Sequence, residues 1–70
     1  MKELSPLQKD VVKHLCKGLT TAEIAEILGI SINTTQNIVS TILLKMGCKT
    51  RAEIAAKAVS LNIVNLSEIE

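Results

Sequence analysis

No Phe, Tyr or Trp occurs among the 70 residues of this chain. Any core must then be built from Ile, Leu, Val, Ala and Met. A module that reads single strands or RNA by stacking bases on aromatic rings is excluded. Excess charge of one sign is also missing: eight Lys and Arg stand against seven Asp and Glu, a formal net charge of +1. A dedicated nucleic-acid binder is usually more basic, so the total gives DNA binding no support. Its distribution gives a little. Residues 31–51 hold Lys45, Lys49 and Arg51 and no acid, while Glu68 and Glu70 stand among the last three residues. Cysteine is scarce too. Cys16 and Cys48 make neither a disulfide framework nor a C-x-x-C pair, and His14 is the single histidine, so a zinc site lacks ligands. The two thiols read as small hydrophobes in a reducing compartment. No apolar run reaches about 18 residues and no signal-peptide pattern opens the chain. A soluble, cytoplasmic protein without a membrane segment is expected. There is no nucleophile with a paired base, no set-apart carboxylate pair and no glycine-rich phosphate loop. Neither an enzyme nor a cofactor is expected.

What is present is regular punctuation. In "LSPLQ", Ser5 is an N-cap, Pro6 takes the first helical position and Gln8 completes a capping box. Leu7, Val11, Leu15 and Leu19 then recur every four residues, widened by Val12 and Cys16, up to a stop at Gly18. His14 and the series Lys9, Lys13, Lys17 read as a solvated face of this helix rather than a ligand or a phosphate-binding ridge. Thr20 and Glu23 form a second box, with Ile24, Ala25, Ile27 and Leu28 as the inner face and Gly29 as the stop. Ser31 caps a third helix after a turn too short for a long antiparallel hairpin, which suits two helices crossing steeply. That helix runs from about Ile32 to Met46 and ends at Gly47. Thr50 and Glu53 make a third box, followed by Ile54, Ala55, Ala58, Val59 and Leu61. Asn62 fits the residue that turns the chain after this helix, and Ile63 and Val64 are expected to fold back on the core. No strand alternation, repeat or linker is visible. The reading is one all-α domain of four helices over residues 1–66, with a frayed acidic tail at 67–70.

The residues "LSPLQKDVV", "GLTTAEIAEILGIS", "KMG" and "TRAEIAAKA" together resemble the DNA-binding domain of the LuxR/GerE (NarL/FixJ) regulators. The resemblance covers residues 4–64. It implies a helix-turn-helix made by the second and third helices, with the third entering the major groove of double-stranded DNA and the fourth often forming a dimer contact. On this chain the dimer contact falls on Ala52, Ala56 and Val59, small enough for two backbones to approach. The departures lie on the reading surface. The family usually has Val, a basic residue and a His where this chain has Thr35, Gln36 and Ile38. Asn, a polar or basic residue, and a basic residue are common where Thr41, Leu44 and Ala22 stand.

At about 100° per residue, Thr35, Ile38, Val39, Ile42 and Met46 share one arc of the third helix, the core side. Asn33, Asn37, Ser40 and Leu44 line the opposite side, flanked by Gln36 and Thr41. Amides can pair with adenine, and hydroxyls with bases or phosphates. Lys45, Lys49 and Arg51, with the amide ends of the second and third helices at Thr21 and Thr34, are the expected phosphate contacts. So few cations imply weak binding by one copy, hence a homodimer or a joined partner. Two functions follow. One is a small transcription regulator binding DNA through its third helix. The other is an interaction module that keeps the scaffold and docks a protein partner on the neutral third helix, Leu44 included. DNA binding would fall steeply with salt and apolar docking would not.

Overall fold

The structure, a computed structural model, describes residues 3–61 and 63. Four helices follow one another: α1 (Pro6–Cys16), α2 (Thr21–Leu28), α3 (Ile32–Met46) and α4 (Arg51–Ser60), and the described residues contain no strand. The starts are set by side chains three residues apart. Ser5 Oγ accepts the Gln8 N–H at 3.2 Å while Gln8 Oε1 accepts the Ser5 N–H at 2.9 Å. Thr20 and Glu23 do the same at 3.2 and 2.9 Å. Each box satisfies two amide donors that a helix start leaves over. The expected third box forms only by half. Thr50 Oγ1 accepts the Glu53 N–H at 3.2 Å, but Glu53 Oε2 accepts from the Lys49 N–H at 3.4 Å, one residue outside the cap. Thr50 has φ −134°, against −71° at Ser5 and −78° at Thr20. That rotation turns the Thr50 N–H away from the carboxylate.

The helix ends are equally local. Gly29 takes φ +68°, a left-handed conformation that costs most residues a clash at Cβ. It lets the Ile30 N–H reach back to Ala25 O at 3.0 Å and reverses the chain within three residues. The axes of α2 and α3 then differ by 111°. Gly47, at φ +65°, closes α3 in the same way, with the Cys48 N–H on Leu43 O at 2.9 Å. Lys57 Nζ, from α4, donates to Met46 O at 3.0 Å, placing a cation at the negative end of α3.

The core is aliphatic throughout. Leu4, Val11, Val12, Leu15, Ile24, Val39, Ile42, Met46, Cys48, Ile54 and Ala58 are buried in one cluster. Thr35 is wholly buried among them, its hydroxyl donating to Ser31 O at 3.0 Å, and among the described residues no buried side-chain nitrogen or oxygen lacks a partner. Three stripe positions leave the core. Leu7 is 43%, Ile27 58% and Leu61 52% exposed, Leu61 because α4 ends at Ser60 and leaves it as the cap residue. At about 100° per residue, Ile27 lies roughly 110° from the centre of the arc made by Ile24, Ala25 and Leu28. Leu7 sits at the corresponding margin of α1. Ile63 packs on the core, its N–H donating to Ala58 O at 2.8 Å. Asn62, Val64 and the tail 67–70 lie outside the described residues.

Candidate nucleic-acid interface

The outward side of α3 is defined by what its inward side must bury. Thr35, Val39, Ile42 and Met46 are buried and Ile38 half-buried, so the opposite arc faces solvent along the whole helix. Asn33, Gln36, Asn37 and Ser40 are all exposed, and none of these side chains has a hydrogen-bond partner among the described residues. Four neutral groups that both donate and accept thus stand in a row with their capacity unused. Thr41 flanks them, but its hydroxyl donates to Asn37 O at 3.0 Å. Thr34 is engaged at the cap: its N–H donates to Ser31 Oγ at 3.0 Å, and the Ser31 hydroxyl donates to Thr34 Oγ1 at 2.8 Å.

The cations divide. Arg51 and Thr21 meet across 30 residues: Arg51 Nη1 donates to Thr21 Oγ1 at 2.9 Å, bringing the starts of α4 and α2 together. Lys49 is exposed on the segment before α4, and its ammonium makes no hydrogen bond among the described residues. Lys45 behaves otherwise. It is half-buried and turned to α1, with Nζ donating to Gln8 Oε1 at 2.9 Å and to Glu3 O at 3.3 Å. Gln8 Oε1 therefore receives both the Ser5 amide and the Lys45 ammonium, joining the first capping box to the last turn of α3. The sequence pattern groups Lys45 with Lys49 and Arg51 as a phosphate contact, and its partner Gln8 lies 37 residues away. No local spacing signals such a pair. From Ile27 to Ala52 the chain holds no carboxylate, so nothing on the outward arc of α3 repels an anion.

Elsewhere, Lys9 and Lys17 are exposed and Lys13 half-buried, and His14 is half-buried with Nδ1 2.8 Å from Asp10 O. Both cysteines are free. Cys48 is buried, and burial pushes the thiol of half-buried Cys16 up from its ordinary value. On α4, Ala52 and Ala56 are exposed and Val59 half-buried. Ala52 and Ala55 line an open hollow of about 210 Å³ with Leu15, Leu19 and Arg51. Among the described residues no single helix is long and apolar enough to cross a membrane.

A steep helix pair presenting an uncharged polar arc is a scaffold that sequence comparison can place. The family model of the bacterial regulatory proteins of the luxR family matches residues 2–58. The chain belongs to the luxR family. Over 67 residues it is 33% identical to the HTH-type quorum sensing-dependent transcriptional regulator VjbR of Brucella ovis, and equally to VjbR of Brucella abortus and Brucella suis. Each alignment takes in 96% of this chain and 26% of the VjbR protein. The chain thus spans about a quarter of the length of these luxR relatives. No solved structure matches it. Membership makes it a helix-turn-helix domain of the DNA-binding, transcription-regulator kind, with α2 and α3 as the motif. It does not favour the reading in which the scaffold serves only to dock protein.

Proposed function

We propose that this chain regulates transcription by placing α3 in the major groove of double-stranded DNA, with two copies on one operator. Asn33, Gln36, Asn37 and Ser40 face base edges, and the amides favour adenine. Thr41 adds its oxygen at the margin. Lys49, Arg51 and the helix starts at Thr21 and Thr34 hold phosphates on either side. Lys45 supports the pose through Gln8 and Glu3 instead of meeting phosphate. The observation that carries this reading is the row of four exposed side chains on α3 with no partner of their own. The family match gives that row its context. With so few cations in place, one copy binds weakly, and pairing through Ala52, Ala56 and Val59 of α4 supplies the rest. The cytoplasm, where DNA lies and free thiols persist, is the matching compartment.

The test is duplex binding over a salt series, using a pool with a randomised core and then the duplexes it enriches. Affinity should fall linearly in log–log form, by about 0.9 per phosphate contact. Gln36→Ala and Asn37→Ala should relax the enriched sequence while leaving binding to unrelated duplexes nearly unchanged. Sequence-independent losses at Gln36 equal to those at Lys49 would contradict the assignment of one to bases and the other to backbone.

A further inference from the structure

Leu44 is 85% exposed, more than any other large apolar side chain described. It stands in the last turn of α3, 4, 7 and 11 residues after Ser40, Asn37 and Asn33. Those separations are close to whole turns at about 3.6 residues each, so Leu44 continues the line of unpartnered polar groups. One turn before it, Ser40 and Thr41 are short and polar, so it has no apolar neighbour on its own helix surface. Set against phosphates, this side chain would strip water from charged oxygens and return no hydrogen bond. The floor of the major groove offers one apolar group instead, the C5-methyl of thymine.

We propose, resting on the reading that α3 lies in the groove, that Leu44 is a specificity-determining residue that reads a thymine by packing on its C5-methyl. Its place in the site follows from helix geometry. Seven residues from Asn37 at about 1.5 Å each is roughly 10 Å, or about three base pairs at about 3.4 Å. The preferred thymine lies that far from the base pair Asn37 contacts, toward the C-terminal end of α3. The outward arc then reads in two chemistries: amides and a hydroxyl for hydrogen bonds, and Leu44 for a methyl.

Deoxyuridine differs from thymidine by that methyl alone, so it isolates the contact. The full chain first enriches a duplex from a randomised pool, and each thymine of that duplex is then replaced singly by deoxyuridine. One thymine per half-site should lose about fourfold in affinity, the worth of one buried methyl-sized group. Leu44→Ala should bind the two duplexes equally well and show a thermal melt like the parent, since the side chain is exposed. A defined consensus with a flat deoxyuridine scan overturns the proposal and leaves the groove reading standing. So does a sensitive thymine that stays sensitive in Leu44→Ala. Loss of self-association in Leu44→Ala with unchanged duplex preference assigns the residue to protein contact and overturns it as well. Failure of the chain to enrich any sequence overturns the groove reading, and this inference with it.

Discussion

Thr20 and Thr50 begin their helices with the same hydroxyl bond, 3.2 Å to the amide three residues on. Replacing either by Ala should cost about 1 kcal/mol, which in a chain of this size lowers the melting temperature by roughly 5 °C. Thermal melts of the two variants check this, and no loss in either would mean the hydroxyls hold nothing. The neighbouring carboxylates should differ. Glu23→Ala should cost more than Glu53→Ala, because Glu23 braces the cap residue itself at 2.9 Å while Glu53 reaches past it at 3.4 Å. The hydroxyl bonds were legible in the sequence because they span three residues and need only the local backbone. The fate of Glu53 was not, because it turns on the backbone angle of Thr50.

Periodicity revealed both sides of α3, since a long helix packed along one flank sorts its residues cleanly. It misplaced Ile27 because α2 has eight residues, and two turns do not fix the middle of a stripe. It could not show the Lys45 ammonium's partner for another reason: charged side chains are long, and their partners are chosen by tertiary packing. Lys45 and Lys49 looked alike in sequence and should part in experiment. Lys49→Ala should weaken all duplexes alike and flatten the salt slope by about one. Lys45→Ala should leave the slope unchanged and instead lower the melting temperature, because it unpins α3 from Gln8 and the Glu3 carbonyl. Salt titrations of both variants beside their melts decide this; equal flattening by the two would return Lys45 to the phosphates. Gln8→Met, which removes the shared acceptor, should reproduce much of the Lys45→Ala loss.

Ala52 and Ala56 of α4 are exposed, and these are the positions proposed to meet a second copy. A twofold pair would set its two α3 helices about 34 Å apart, one turn of DNA. A duplex carrying two half-sites at that spacing should bind two chains with higher affinity than a single half-site. Ala56→Glu, which puts a carboxylate on that side of α4, should halve the mass bound to the two-site duplex in sedimentation while leaving single half-site affinity nearly unchanged. Two chains still bound by Ala56→Glu with undiminished affinity would place the contact elsewhere. The closure of the cluster carries a different consequence, one of timing. α1 packs on α4 as well as on α3, so the first described helix finds a neighbour in the last described one. Val11 and Val12 of α1 share one buried cluster with Ile54 and Ala58 of α4, and that cluster is incomplete until α4 is made. During synthesis, a nascent chain that has delivered everything through Gly47 holds α1, α2 and α3 but lacks the α4 side of that core. The domain therefore closes its core only once α4 has been made.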